Sequence, residues 1–218
     1  MAAPELYDTR FSLVERRAKD AVWRVLCADF FQRWVPLDAT VLDLGAGFCE
    51  FVNHIRCREK WAVDSDERIA DRAGPDVHVH RGPAQDLRWR AAESVDVVFA
   101  SNVFEHFLTK DDVLTALREA RRVLRRGGRI LILQPNIRFT YKEYWDFFDH
   151  HLAFSDRAMM EGLRLAGFTV EHVRPRFLPY TTKSALPTWP AFVRVYLRCR
   201  PLHWLLGKQM FIVAAKRS

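Results

Sequence analysis

The sequence predicts an α/β domain built on a doubly wound, mostly parallel sheet. Three observations carry that expectation. Short apolar runs rich in Val, Ile and Leu recur at 41–44, 61–63, 95–100, 130–133 and 209–215, with helical spacing between several of them. The first run leads into Gly45-Ala46-Gly47, two glycines at spacing two followed by a short amphipathic stretch. The second run closes on Asp64, 21 residues after Asp43, near the ~20 at which a doubly wound fold sets an acid for ribose hydroxyls.

The 218 residues suffice for one such domain with a full core, so 1–218 is read as a single domain. No run approaches the ~18 apolar residues of a membrane-spanning helix. Met1-Ala2-Ala3-Pro4-Glu5 lacks the basic and apolar regions of a secretory signal, and a cytoplasmic location is expected. Cys27, Cys49, Cys57 and Cys199 show no CxxC spacing; reduced, buried thiols and no zinc site are expected. The charge is uneven. Arg174–Ser218 holds nine Lys and Arg and no acid, against +7 for the whole chain, which leaves residues 1–173 at −2. That asymmetry suits an anionic partner, such as a membrane surface, a phosphorylated substrate or nucleic acid; a solvated face is the plainer alternative.

Taken in order, residues 11–34 place Phe11, Leu13, Val14, Ala18, Val22, Leu26, Phe30 and Phe31 at steps of three and four, predicting an N-terminal cap helix broken once. Strand one is Thr40–Leu44. The glycine turn lets a ligand approach the backbone, and Phe48, Phe51, Val52 and Ile55 give one apolar helix face after it. A dinucleotide fingerprint would need glycine at 50, where Glu50 stands. Its carboxylate and a pyrophosphate would repel by about a few kcal/mol at an effective dielectric near 20. No Gly-Lys-Ser/Thr follows either, so a cofactor without phosphates is favoured, and S-adenosylmethionine (SAM) fits.

Strand two ends in Asp64, and Asp66 is read as a helix N-cap. Val77–His80 alternates as strand three and Val95–Ala100 is strand four. Residues 111–126 form a helix stopped by Gly127-Gly128, followed by strand five at 129–134. Ser155 caps a helix to Ala166; Thr169–Val173 and Gln209–Ala215 are the last two strands. The segment 137–155 is dense in aromatics and follows strand five, at the edge where open sheets bind ligands, so it reads as a wall of the acceptor pocket with Tyr141, Tyr144 and Trp145 as candidates. Residues 177–207 are an insertion, read as a lid or an interfacial segment. Phe192, Val193, Tyr196 and Leu197 form its stripe beside Arg194, Arg198 and Arg200, and Trp189, Trp204, Leu205 and Leu206 add bulk, so 189–206 is a candidate for peripheral contact with the inner face of a membrane.

Val41–Cys49 resembles the first motif of the class I SAM-dependent methyltransferases, an acid and three alternate glycines after strand one, with Cys49 at the third glycine. Ser101-Asn102-Val103-Phe104-Glu105-His106 resembles the small-molecule branch, and neither the Asn/Asp-Pro-Pro-Tyr/Phe nor the Pro-Cys signature of nucleobase enzymes is present. The resemblance implies a Rossmann-like seven-stranded sheet with an antiparallel last strand, and a transferase releasing S-adenosylhomocysteine. It implies a cofactor pocket of Asp43, Gly45, Ala46, Gly47, Asp64, Ser65, Gln85, Asp86 and Asn102, with Tyr7 and Arg10 near the methionine end. The third glycine is expected to serve helix packing, a role a small Cys can fill.

Because SAM carries an activated methyl, the protein has mainly to align a nucleophile. A hydroxyl acceptor profits from a general base, and the candidates are His106, His150 and His151, oriented by Asp146 or Asp149. Asp149, His150 and His151 are adjacent in sequence and point different ways, so no metal is expected. The expected function is methylation of a hydroxyl, or other nucleophile, on a small molecule or saccharide, phosphorylated or lipid-linked given the basic tail. The alternatives are an RNA methyltransferase, for which no RNA module is identifiable, and a SAM-binding protein without catalysis.

Overall fold

The computed structural model describes residues 13–180 and 189–217. Alternating apolar runs form seven strands: β1 (Thr40–Leu44), β2 (Glu59–Asp64), β3 (Val77–Arg81), β4 (Val95–Ser101), β5 (Leu124–Pro135), β6 (Thr169–Arg174) and β7 (Gln209–Ala215). Their order is β3-β2-β1-β4-β5-β7-β6. Only β7 is antiparallel to its neighbours, pairing Leu133 of β5 with Phe211 and Val173 of β6 with Ile212. The expected sheet, antiparallel last strand included, is the one observed.

Because strand side chains alternate between faces, each run feeds two cores. Leu42, Leu44, Val98, Ile130 and Ile132 face α4 (Lys110–Val123) and α6 (Asp156–Leu165), with the single turn α5 (Ile137–Thr140) between them in the chain. Val41, Val97, Phe99, Leu131 and Phe211 face α1 (Leu13–Asp29), α2 (Glu50–His54) and α7 (Pro190–Arg198). That second core is aromatic: Phe51 stacks on Phe99 at 3.7 Å, and Phe30 meets Phe177 at 4.3 Å. The N-terminal helix is broken once, continuing as a 3₁₀ turn at Phe31–Arg33.

Three local expectations are corrected. Helix α4 ends at Val123, because Leu124 is already extended and pairs with Val95. Gly127-Gly128 therefore lies inside β5: Gly127 has φ +78°, and a Cβ on Gly128 would meet the Asp96 carbonyl oxygen at 3.0 Å. Asp66 caps no helix, since α3 (Ile69–Arg72) starts after Arg68; its carboxylate instead accepts from the Arg68 backbone and pairs with Arg72 at 3.0 Å. The stripe of the insertion is not presented to solvent as a whole: Val193, Tyr196 and Leu197 are buried against α1 and the sheet, and Arg194 pairs with Asp29 at 3.0 Å. What remains outside are Trp189, Val195, Trp204 and Leu205, the last two on or beside α8 (Arg200–Leu206). Ser155 does cap α6, accepting from Ala158.

The charge asymmetry has an internal explanation. Arg194, Lys208, Lys216 and Arg217, from the acid-free stretch, pair with Asp29, Glu143, Glu93 and Glu171 from the acidic remainder. No helix among the described residues is long and apolar enough to cross a membrane.

Candidate functional site

The carboxyl ends of β1, β2 and β4 meet at the glycine turn. Gly45 and Ala46 donate to the Val63 carbonyl at 2.8 and 3.1 Å, tying the turn to β2. Gly45 has φ +67°, and a Cβ there would meet Val103 after β4 at 2.6 Å, so conformation and crowding both demand glycine. Gly47 has φ +53°, but a Cβ would meet nothing within 4 Å. Cys49 follows at φ 60°, left-handed, fully buried as the N-cap of α2. The third-glycine position therefore asks for a conformation as well as for smallness, and Cys49 occupies it at a cost of about 1–2 kcal/mol. Burial, with Asp43 and Asp64 nearby, pushes its thiol up to about 12 and leaves it unreactive.

Two acids frame the turn. Asp64 is partly exposed: one carboxylate oxygen accepts from Gly47 N, the other from Asp66 N, both at 2.8 Å. Asp43 is buried, and desolvation, reinforced by Glu50 and Asp64, holds its carboxyl well above the usual range. Glu50 opens α2 and pairs with Lys19 at 2.8 Å. Around it Phe48 lies under Arg72, 4.4 Å from its ring centre, and Arg72 donates to the Gly47 carbonyl. Ser65 is exposed. Asn102, after β4, holds φ 51° while its N–H donates to Leu133 at 2.9 Å. Gln85 and Asp86 line a shallow groove with Arg88, Thr115 and Glu119. Arg88 takes both oxygens of Asp86 and pulls its carboxyl down to about 2. Tyr7 and Arg10 lie outside the described residues.

At the ends of β4 and β5 a second set assembles. The 3₁₀ turn Phe104–His106 carries Glu105 inward, and the Glu105 carbonyl accepts from His151 and Leu152 at 2.8 and 3.1 Å. That pair of bonds draws the 144–152 loop over the turn. His106 and His150 come within 5.3 Å, ring to ring. His106 Nδ1 donates to the Asp149 carbonyl at 2.9 Å, with the Asp149 carboxylate at 3.4 Å; His150 Nδ1 donates to the Tyr144 carbonyl at 2.9 Å. Glu105 is buried, accepts from Gln134 at 2.6 Å, and has its carboxyl pushed up, chiefly by desolvation. The expected scatter of the Asp149–His151 run does not prevent a cluster: among the described residues Glu105, His106 and His150 can each offer a ligand atom within 4.8 Å of the others.

Residues 42–132 match the family model described as a methyltransferase domain. That stretch, 91 of the 218 residues, carries a methyltransferase domain. The chain's fold is similar to that of a SAM-dependent methyltransferase from Thermotoga maritima, at 23% identity and a TM-score of 0.64, covering 98% of this chain and 95% of that one. It is also similar to a structure of the Haloferax volcanii Trm112 methyltransferase activator in complex with a methyltransferase (19%, TM-score 0.66, 94% and 93%). A third such structure is a SAM-dependent methyltransferase from Archaeoglobus fulgidus (18%, TM-score 0.62, 94% and 93%). None of the curated proteins compared gives a match.

The glycine turn fits SAM on its own geometry. Beside Gly47 the space that a Cβ would occupy is open, which leaves room for a ligand against the backbone. The carboxylate of Asp64 is braced by two N–H groups and still has lone pairs for two hydroxyls. The aromatic candidates divide. Tyr141 and Trp145 are exposed, whereas Tyr144 is fully buried with its hydroxyl given to the Leu152 carbonyl, which makes it a brace of the loop. His151 is exposed and meets the cluster only through its backbone. The sequence reading held Glu105 only as part of the Ser101–His106 motif and gave Gln134 no role.

Proposed function

We propose that this methyltransferase transfers a methyl group to a hydroxyl of a small-molecule or saccharide acceptor. The observation that carries the reading is the His106–His150 pair, 5.3 Å apart, beside the aromatic segment at the carboxyl end of the sheet. Bound SAM would supply a methyl already activated by its sulfonium. The chain's part is to hold donor and acceptor. Asp64 accepts from the ribose hydroxyls, the Gly45–Gly47 backbone and Asn102 flank the methionine end, and Ser65 lies beside Asp64. Gln85 and the backbone near it read the adenine edge, because Asp86 is engaged by Arg88. Tyr141 and Trp145 offer exposed ring faces to a sugar or planar ring, and the acceptor hydroxyl is placed beside the histidine pair.

A lipid-linked acceptor is favoured by one further observation. Trp189, Trp204 and Leu205 are each more than 60% exposed in a stretch that holds no acid, which suits contact with a membrane surface in the cytoplasm. Four of the nine cations of that tail are paired internally, which weakens the case for nucleic acid.

Calorimetry should show SAM binding that Asp64→Ala weakens by about 100-fold, roughly 2.7 kcal/mol. Label from methyl-labelled SAM, added with the enzyme to cell extract, should enter the polar or lipid fraction and survive nuclease. Label that disappears with nuclease would sink the small-molecule or saccharide acceptor in favour of RNA.

A further inference from the structure

We propose that Glu105, His106 and His150 form a divalent-cation site that would bind the acceptor hydroxyl. The site's existence stands on geometry alone; only its role rests on the proposed hydroxyl methylation.

The first argument is convergence: one carboxylate oxygen and one nitrogen from each of two histidines within 4.8 Å of one another, from positions up to 45 residues apart. The second is the tautomer. A carbonyl oxygen only accepts, so both histidines carry a proton on Nδ1, toward Asp149 and Tyr144. The neutral ring then has its lone pair on Nε2. Metal-bound histidines are held in the same way, the far nitrogen donating to a carbonyl or carboxylate, and His106 has both from Asp149. The third is Glu105 itself. At 1% exposure its carboxylate accepts from the neutral amide of Gln134 at 2.6 Å, which offsets little of the cost of leaving water, whereas a cation would offset much more. Beside it the Gln134 Oε1 is buried without a partner.

Two imidazoles and one carboxylate suit Zn²⁺, Co²⁺, Mn²⁺ or Fe²⁺ better than Mg²⁺ or Ca²⁺. Three protein ligands leave coordination positions open, and a hydroxyl held there loses its proton more readily. The balance is simple: one O–C bond forms, one S–C bond breaks with its electron pair kept by sulfur, and the hydroxyl proton passes to solvent. His106 and His150 then serve as ligands, and the cation does the activating.

The test uses the full chain without a histidine tag, stripped with EDTA and titrated with Co²⁺ while its visible d–d absorption is read. One Co²⁺ per chain is expected, displaced by Zn²⁺ but not by equimolar Mg²⁺. Glu105→Gln, His106→Ala and His150→Ala should each weaken uptake at least ~10-fold, while His54→Gln, outside the cluster, should not. Calorimetric SAM binding, retained in every variant, certifies the fold. A wild type that takes up no more Co²⁺ than a His106→Ala/His150→Ala double variant overturns the site. That result leaves the small-molecule or saccharide acceptor to be judged by the labelled-SAM experiment.

Discussion

The glycine turn at 45–49 and the histidine cluster after β4 lie along the same edge of one sheet, yet they are made of different material. The turn is backbone: positive φ at Gly45, Gly47 and Cys49, amides tied to β2, and one acid braced by two N–H groups. The cluster is side chains from two segments, brought together by the Glu105 carbonyl and the buried Tyr144. A backbone site depends on which residues can adopt a conformation. A side-chain site depends on a loop staying where it is. Under the proposed function, that difference separates the half that would hold the methyl donor from the half that would choose the acceptor.

The contrast can be broken experimentally, and the largest effect is expected inside the turn. Gly45→Ala sets a Cβ 2.6 Å from Val103 at φ +67° and should destabilise the fold by about 3 kcal/mol. Gly47→Ala faces open space and should cost only about 1 kcal/mol, while weakening SAM binding more than its stability loss suggests. Urea midpoints measure the first and calorimetry the second; equal midpoints would mean the two glycines are not distinct in role. Next comes the loop. Tyr144→Phe leaves the Leu152 carbonyl unpaired and should cost about 1–3 kcal/mol, lowering methyl transfer while SAM affinity stays unchanged. A matching loss of SAM affinity would show the halves to be coupled. The smallest effect is at Cys49. Glycine there should be more stable than alanine by about 1 kcal/mol despite removing more buried atoms, because the position is left-handed. If alanine proves as stable, conformational strain at 49 is negligible.

The same contrast explains what could be read from the sequence. Strand β1 and strand β7 were legible to the residue because a buried strand is a continuous apolar run with sharp ends. The end of β2 at Asp64 was legible because spacing along the chain fixes where the next strand ends. The end of α4 was not: Gly127-Gly128 looks like a stop, and only pairing of Leu124 with Val95 shows that a strand has already begun. Cys49 looked like a packing residue because φ leaves no trace in composition. The proximity of His106 to His150 depends on two hydrogen bonds to one carbonyl, and no periodicity encodes that. Nor could composition show that the basic tail finds its acids on the rest of the same molecule.

The antiparallel seating of β7 has a bearing on how such enzymes diversify. The base of the 177–207 excursion is closed by main-chain bonds, Phe177 N to Gln209 O at 2.7 Å and Lys208 N to Leu178 O at 2.8 Å. The excursion therefore departs from and returns to a single point, on the edge of the sheet that also carries the two sites. Its ends are already joined, so a longer or different sequence between them adds little closure entropy and disturbs no strand register. The protein is in this sense a fixed chassis with an exchangeable cassette.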